Sequence, residues 1–271
     1  MSNLQQRVIS AIVMAALTLT LTWLGGLPFR LFGAGIAALI FYEWTRMSRP
    51  VNGAALGFLP EALMLIFIVA LIAGLPALWL LLVAAILVAV AAIGARIRGA
   101  ALWEASGLGY ATLSGFSLAY LRDDSRSGLI AILFLFAVVW ATDIAAYFVG
   151  RTVGGPKLAP SISPGKTQSG ALGGGAGGVV AGLLLAIAAG AGNLVQLGLV
   201  ALALSIVSQI GDLFESWVKR RQGAKDSSNL IPGHGGVMDR VDGLVAAAFA
   251  LYVIGWIAAG AEHPALGLFP N

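Results

Sequence analysis

Apolar runs of about 20 residues recur along this chain, and that is the length a helix needs to cross the hydrocarbon core of a bilayer. Membrane-spanning strands would instead alternate apolar and polar residues, so these runs predict helices. Hydrophobic residues make up 59% of the sequence and charged residues 10%, against about 45–50% and about 25% in soluble domains. The sequence therefore predicts an all-α integral membrane protein, built as a bundle of membrane-spanning helices.

Charges and turn residues divide the chain into nine predicted transmembrane helices. These spans are residues 8–27, 31–47, 56–74, 77–95, 101–121, 128–149, 171–190, 194–216 and 242–260. The first run lacks a small-residue cleavage site, so we interpret it as a retained helix rather than a signal peptide. The third and fourth spans meet at residues 74–76, and a single re-entrant pair is the alternative there.

The basic residues set the predicted orientation. With a cytoplasmic N-terminus, thirteen of the sixteen Lys and Arg residues fall inside, and only Arg30, Arg122 and Arg126 fall outside. Cytoplasmic loops of membrane proteins carry this kind of excess. We therefore predict that the N-terminus is cytoplasmic and that the C-terminus lies outside.

One polar segment, residues 216–242, is the longest polar interval of the chain and combines acids, Lys and Arg residues, one histidine and five Gly or Pro residues. Two hydrophobic helices need only a short connection, so the length and the charge of this segment indicate a functional surface. The orientation puts it on the cytoplasmic side together with a second polar loop, residues 150–170. We predict one polytopic domain, 1–271, with lipid-facing architectural helices in 1–125 and the catalytic helices and loops in 126–260.

We single out three acids that lie inside or at the end of predicted spans: Asp143, Asp212 and Glu215. A carboxylate in a lipid-crossing helix is expensive and usually faces a polar interior with a partner. Asp143 lies seven residues before Gly150 and Asp212 seven before Lys219, so each lies about 10 Å inside its cytoplasmic end. We predict that the two aspartates meet in one pocket, with a structural partner as the alternative for Asp143. For Glu215, a surface ion pair with Lys219 at i+4 is the alternative to metal ligation.

The upstream polar loop, 150–170, reads GRTVGGPKLAPSISPGKTQSG and offers backbone N–H groups, hydroxyls and ammonium groups to phosphate oxygens. It is not a Walker A loop, because Pro160 stands where that motif needs a glycine. The glycines that follow have the spacing that lets membrane helices approach closely, which predicts a packing stripe. These glycines are Gly173, Gly174, Gly177 and Gly178.

The end of the polar segment reads PGHGGVMDRVD and combines flexible glycines with one histidine and two carboxylates. Asp239 and Asp242 lie three residues apart, on one face of an incipient helix. Mg²⁺ binds one or two carboxylates together with substrate phosphates, and Asp239 with Asp212 would suit that role. The alternative is that one of the two acids, in the first place Asp242, is only the N-cap of the last helix.

The sequence lacks the residues that several other kinds of catalytic or metal site require. Cysteine is absent, so neither disulfides nor thiol chemistry is available. The only other histidine, His263, falls near the C-terminus on the opposite side from His234, which disfavours a zinc site. The chain also lacks the GxSxG turn of serine hydrolases. We do not predict a nucleic-acid partner, because the arrangement of charge in a membrane protein matters more than its sum.

The polar segment resembles the signature of the phosphatidate cytidylyltransferase (CDP-diacylglycerol synthase) family, which has a Ser, a Lys-Arg pair, a Lys-Asp pair, then HGG and DR-x-D. The matching residues are Ser216, Lys219 with Arg220, Lys225 with Asp226, His234 to Gly236, Asp239, Arg240 and Asp242. Upstream, the Asp143 helix, GRTVGGPKLAP and SISPGKT also look like family features. The chain departs from the family at Gln168 and Ser169, where many members carry an apolar residue and an acid, and at Gly165, where a lysine is common.

The resemblance implies transfer of CMP from CTP to phosphatidate, giving CDP-diacylglycerol and pyrophosphate in phospholipid biosynthesis. It implies Mg²⁺ held by Asp212 and Asp239, with Asp143 as a supporting acid and a monovalent cation such as K⁺ beside the metal. The implied phosphate clamps are Lys166, Lys219, Arg220, Lys225 and Arg240. Further implied substrate contacts are Ser163, Thr167, His234, Gly235 and Gly236. It also implies a homodimer in a bacterial cytoplasmic (inner) membrane, with the Gly-rich seventh span as a candidate contact.

Two other classes stay open at this stage. A secondary transporter also uses acids buried in helices, but it needs polar midplane residues in several spans and symmetry between halves, which the sequence lacks. A CTP-dependent transferase or kinase acting on another lipid, such as a polyprenol, would use the same loops. A purely structural protein would not need them.

Overall fold

A computed structural model describes residues 3–48 and 57–270 of the chain. Arg49, one of the basic residues assigned to the inside, and residue 56, where the third span is predicted to begin, lie outside the described residues. The helices are α1 (Asn3–Leu24), α2 (Gly26–Ser48), α3 (Leu59–Ala73), α4 (Ala77–Ile97), α5 (Trp103–Arg122), α6 (Arg126–Thr152), α7 (Gln168–Ala188), α8 (Leu194–Arg221) and α9 (Met238–Ala259). A hairpin of β1 (Lys157–Ala159) and β2 (Ser163–Thr167) precedes α7, and a 3-10 turn (Pro264–Gly267) follows α9.

The described ranges hold nine α-helices, at the positions predicted for the nine spans. Seven of them are long and apolar enough to cross a membrane, which confirms a multi-pass helical membrane protein. The third helix, α3, has 15 residues, which at 1.5 Å per residue is short of the ~30 Å hydrocarbon core. The fifth, α5, has the length but carries Ser, Thr and Gly at many positions besides Glu104, which lowers its hydropathy.

The chain folds as two compact units. Unit 1 comprises residues 1–120 and 222–240, and unit 2 comprises residues 121–221 and 241–271. The connection between α8 and α9, residues 222–237 and named here the α8–α9 loop, therefore packs with the N-terminal helices. The sequence-based division instead put this loop with residues 126–260, and the roles predicted for the two parts stay predictions.

In unit 1, α2 is fixed against α5 by close contacts. The indole N–H of Trp44 donates to the carbonyl oxygen of Trp103 at 2.7 Å. Gly107 makes room for this indole, since a Cβ at Gly107 would lie 2.2 Å from Trp44 Cδ1. Further along, a Cβ on Gly115 would lie 2.9 Å from the carbonyl oxygen of Gly33. These contacts hold α2 against α5 within the unit.

In unit 2, α6 and α7 pack closely through the predicted glycine stripe, which confirms that prediction. A Cβ on any of its four glycines would lie between 2.4 and 2.9 Å from an atom of α6. The hydroxyl groups of Thr142 on α6 and Ser205 on α8 lie 2.8 Å apart and join these two helices. The glycine stripe of α7 therefore serves packing within the chain.

We expect Gly174→Ala to lower the thermal stability of the protein and Gly175→Ala to leave it unchanged or raise it. A Cβ at Gly174 would lie 2.9 Å from the carbonyl oxygen of Thr142, whereas the nearest atom to a Cβ at Gly175 is Leu202 Cδ1 at 3.8 Å. Overpacking of this kind costs about 1–3 kcal/mol, and alanine has the higher helix propensity. Thermal melting of the two adjacent variants in detergent checks this, and equal melting temperatures would contradict it.

Candidate active site

Between α6 and α7 the chain forms a short antiparallel hairpin, where the sequence predicted only a loop. Strand β2 begins at Ser163, and Thr167 at its end pairs with Lys157 on β1. Gly154 and Gly155 precede the hairpin with φ of +66° and +101°, conformations that glycine adopts readily. Strand β1 has three residues and β2 has five, and both lie in a stretch rich in Gly, Pro and Ser, so no alternating pattern marks them in the sequence.

A cavity of about 630 Å³ lies among α6, the hairpin, α7 and α8 in unit 2, and is named here the hairpin cavity. Its chemically active lining comprises Asp143, Arg151, Lys157, Lys166, Gln209 and Asp212. Small-molecule sites have volumes of roughly 300–1,000 Å³, so the hairpin cavity has the size of a ligand site. The geometric prediction that Asp143 and Asp212 meet in one pocket is confirmed, and their chemical roles stay predictions.

Lys166 on β2 forms an ion pair with Asp212 on α8 inside the hairpin cavity. The two side chains keep 28% and 31% of their surface exposed, so a ligand can still reach both. Ser216, one turn further along α8, donates its hydroxyl to Asp212 Oδ1 across 3.4 Å. An ammonium beside a carboxylate offers a phosphate contact and an oxygen ligand for a hard cation in one place.

Thr167 forms the N-cap of α7. Its Oγ1 accepts a hydrogen bond from the backbone N–H of Gly170 at 3.1 Å, as N-cap residues do. Ser169, which stands where many family members carry an acid, donates its hydroxyl to the carbonyl oxygen of Gly154 before the hairpin. The departure from the family pattern therefore supplies a local hydrogen bond, and the substrate contacts predicted for Ser163 and Thr167 stay predictions.

Lys219 and Glu215 form a buried ion pair on α8, with Nζ 3.2 Å from Oε2. The prediction of a surface pair has the right partners but the wrong exposure, because Glu215 is fully buried and Lys219 is only 9% exposed. Asp242 on α9 lies close to Glu215, Asp212 and Lys219. An N-cap role for Asp242 is wrong, because α9 already begins at Met238.

Arg220 and Arg221 end α8 with different contacts. Arg220 Nε donates to the carbonyl oxygen of Ile162 in the hairpin turn, across 3.4 Å. The guanidinium of Arg221 lies over the ring of Trp217, 5.9 Å from its centroid, which is typical of a cation–π contact. The phosphate roles predicted for Arg220 and for Lys225, an exposed residue of unit 1, stay predictions.

In unit 1, the α8–α9 loop makes a tight turn in front of α9. The backbone N–H of His234 donates to the carbonyl oxygen of Ile231 at 2.9 Å. Pro232 and Gly233 occupy the two central positions, and the φ of +76° at Gly233 is what a type II turn requires. The turn also contacts α1, where the hydroxyl of Ser10 donates to the carbonyl oxygen of Pro232 at 3.2 Å.

Asp239, in the first turn of α9, holds the α8–α9 loop through one carboxylate oxygen. Its Oδ2 accepts from the backbone N–H groups of Ser227 at 2.9 Å and Gly236 at 2.8 Å. A Cβ on Gly235 would lie 2.8 Å from the same oxygen, and Gly235 has a φ of +82°, so this position requires glycine. Asp239 therefore has a structural role whether or not it also binds a metal.

His234 and Arg240 are joined through the backbone. Arg240 Nε donates to the carbonyl oxygen of His234 at 3.0 Å. The Nδ1 atom of the His234 ring is buried and has no hydrogen-bond partner within residues 3–48 and 57–270. Buried polar atoms are normally satisfied, and the substrate-positioning role predicted for His234 stays a prediction.

Sequence reasoning missed three residues. Arg151 and Lys157 line the hairpin cavity but were not distinguished from the other cations of the upstream loop. Glu43 on α2 is buried and contacts the α8–α9 loop. It lies in a predicted span, so the rule that singled out Asp143 as an acid in an apolar helix would also have found Glu43.

The residues present fit a magnesium ion better than a metal held by protein groups alone. The described ranges contain no group of three or more His, Cys, Asp or Glu residues that could hold a metal. Mg²⁺ needs fewer protein ligands, because it keeps several water ligands and also binds substrate phosphates. Asp212 fits as a partly exposed carboxylate in the hairpin cavity. At Asp239 the loop engages Oδ2, so a metal role would fall to Oδ1.

Comparison with known proteins gives one family. A family profile described as the Cytidylyltransferase family matches residues 5–258. A phosphatidate cytidylyltransferase from Brucella suis biovar 1 is 51% identical over 284 aligned residues, covering 99% of each chain. Proteins of the same name from Haemophilus influenzae and Bacillus subtilis are 33% and 30% identical, covering 90% and 94% of this chain and 96% and 98% of their own. With matches of this extent, the chain belongs to the cytidylyltransferase family.

Proposed function

We propose that this chain transfers CMP from CTP to phosphatidate, producing CDP-diacylglycerol and pyrophosphate for phospholipid synthesis. Its family makes it a nucleotidyltransferase, and the relatives named above support phosphatidate as the acceptor. The observation that carries the proposal is the hairpin cavity, where Lys166 and Asp212 form an ion pair beside further cationic side chains. Such a lining suits a triphosphate, because ammonium and guanidinium groups form charge-assisted hydrogen bonds with phosphate oxygens.

In the proposed reaction a phosphate oxygen of phosphatidate attacks the α-phosphorus of CTP. The bond from that phosphorus to the oxygen bridging to the β-phosphorus breaks, and its electron pair leaves with pyrophosphate. The second pKa of a phosphate monoester is about 6, so phosphatidate is mostly ionised near neutral pH and needs no strong general base. The work of the protein is to bring two polyanions together, align them and stabilise the developing charge.

The proposed roles follow from where each side chain lies. Lys166, Arg151 and Lys157 line the hairpin cavity and would bind the phosphate oxygens of CTP there. His234, with its buried Nδ1, would orient a substrate. The further proposed phosphate contacts are Lys219, Arg220, Lys225 and Arg240.

Magnesium is the proposed cofactor, with Asp212 and Asp239 as its protein ligands and Asp143 as a supporting acid of the hairpin cavity. When bound, Mg²⁺ would neutralise charge on the triphosphate and on the leaving pyrophosphate. The resemblance to the family is the support for a monovalent cation such as K⁺ beside it.

We further propose a homodimer in the bacterial cytoplasmic membrane, with the N-terminus inside and the C-terminus outside. The bacterial sources of the relatives support this location. The excess of basic residues in the segments assigned to the cytoplasm supports the orientation. A cytoplasmic site is also what a water-soluble nucleotide and a lipid headgroup would require.

The test is pyrophosphate release by the purified full-length protein in detergent. We expect release to require CTP, phosphatidate and Mg²⁺ together, and mass spectrometry to identify CDP-diacylglycerol as the lipid product. A parallel assay with polyprenyl phosphate and polyprenol tests the alternative lipid acceptors. Activity with those lipids alone, or no activity from a folded and monodisperse protein, would contradict the proposal, and the second result would favour transport.

A further inference from the structure

Glu43 lies in the interior of unit 1, on the largely apolar helix α2. Its side chain has 0% exposed surface. Burying a carboxylate costs several kcal/mol of desolvation unless hydrogen-bond donors surround it. The donors that surround Glu43 include four groups from one stretch of chain, the α8–α9 loop and the first residue of α9.

Both oxygens of the Glu43 carboxylate are engaged by this stretch. Oε1 accepts from the hydroxyl of Ser228 at 2.6 Å and from the backbone N–H of Val237 at 2.9 Å. Oε2 accepts from the backbone N–H of Met238 at 2.7 Å and lies 3.0 Å from the hydroxyl of Ser227. The first N–H groups of a helix lack intrahelical partners, and the helix dipole favours negative charge there. Glu43 therefore caps α9 from a helix that is distant in sequence.

Ser227 links Glu43 to Asp239. Its hydroxyl lies 3.0 Å from Glu43 Oε2 and 2.9 Å from Asp239 Oδ2, so its single proton can be donated to either carboxylate. Gly236 allows this approach, because a Cβ there would lie 2.5 Å from Glu43 Oε1 and 2.0 Å from Ser227 Oγ. The contacts with Ser227 and Glu43 together account for the second glycine of the HGG sequence.

We propose that Glu43 is a positioning residue for the transfer reaction. It acts through Ser227 and through the start of α9 to fix the carboxylate of Asp239, which follows Met238 by one residue. The inference rests on the proposed function, in which Asp239 is a magnesium ligand. Removing a group that orients a metal ligand typically lowers metal affinity or activity about 10- to 100-fold.

The test compares Glu43→Gln with Thr45→Val in the purified full-length protein. Glutamine keeps the size of the side chain but turns an amide NH₂ group toward donors, whereas Thr45 is buried on the same helix and donates to the Phe41 carbonyl within it. We expect Glu43→Gln to raise the Mg²⁺ concentration for half-maximal rate by about 10-fold. Hydrogen–deuterium exchange without added Mg²⁺ should become faster at the amides of Val237 and Met238. Thr45→Val should match the wild type in both measurements.

A merely structural role for Glu43 would lower the folded fraction without changing the Mg²⁺ dependence of the protein that remains folded. Wild-type Mg²⁺ dependence, or wild-type exchange at the start of α9, would therefore overturn the proposal. If Glu43→Gln does not fold, Ser228→Ala is used in its place, because it removes one donor to Oε1. The Mg²⁺ dependence and the exchange at Val237 and Met238 should then change in the same direction but by less. Wild-type values in Ser228→Ala would overturn the proposal as well. An inactive wild type overturns the proposed function and this role together, whereas an active wild type with an unaffected Glu43→Gln variant overturns this role alone.

Discussion

Asp212→Asn is expected to lower the rate of CMP transfer by about 100-fold or more, equivalent to ~2.7 kcal/mol of transition-state stabilisation. Asp212 lines the hairpin cavity and forms the ion pair with Lys166. Asparagine keeps the size of the side chain but removes its charge, so it neither attracts Mg²⁺ as a carboxylate does nor holds the ammonium in place. The measurement is steady-state pyrophosphate release at saturating CTP and phosphatidate.

Asp124→Asn is the matched control, since it makes the same chemical change at an exposed aspartate between α5 and α6. We expect it to keep the wild-type rate. Combining Asp212→Asn with Lys166→Met shows whether Asp212 acts on the substrates or only neutralises Lys166. If Asp212 only neutralises Lys166, this double variant regains activity that Asp212→Asn loses. If both residues act on the substrates, the double variant is no better than either single one. A wild-type rate in Asp212→Asn would contradict a role in catalysis.

The membrane helices and the meeting of two acids could be predicted because both depend on local properties of the chain. The hydrophobicity that a membrane-spanning helix needs can be read from each residue in turn. The rise of 1.5 Å per residue then gives the depth of a residue below the end of its helix. The ends of α6 and α8 lie beyond the predicted ones, yet Asp143 and Asp212 each stand nine residues before the last residue of their helix. Their equal depth, on which the prediction rested, is therefore preserved.

The hairpin and the Glu43 network could not be predicted in this way. The two strands have 3 and 5 residues, too few for an alternating pattern to stand out among Gly, Pro and Ser. The partners of Glu43 follow it by 184 to 195 positions, a separation that no local spacing encodes. In the sequence, Glu43 stands out only as an acid within an apolar helix, where burial is unfavourable. This observation does not identify the groups that hydrogen-bond to it.

The second large effect is expected at Asp239, where metal binding and loop anchoring can be separated. Asp239→Asn should lower the transfer rate by about 100-fold while leaving thermal stability near that of the wild type. The asparagine carbonyl can replace Oδ2 and accept from the N–H groups of Ser227 and Gly236. Its amide nitrogen then stands where the proposed Mg²⁺-binding oxygen was, and an amide nitrogen does not suit this hard cation.

Asp239→Ala removes the acceptor as well, so it should be inactive and also less stable. Leaving buried backbone N–H groups of the loop without their acceptor costs about 1–3 kcal/mol, which thermal melting in detergent would detect. The opposite pattern, an active Asp239→Asn beside an inactive and unstable Asp239→Ala, would assign Asp239 to the loop alone. The loop already engages Oδ2, and the asparagine variant keeps an acceptor at that position. Activity that Asp239→Asn loses is therefore attributed to the second oxygen, Oδ1, and to the negative charge.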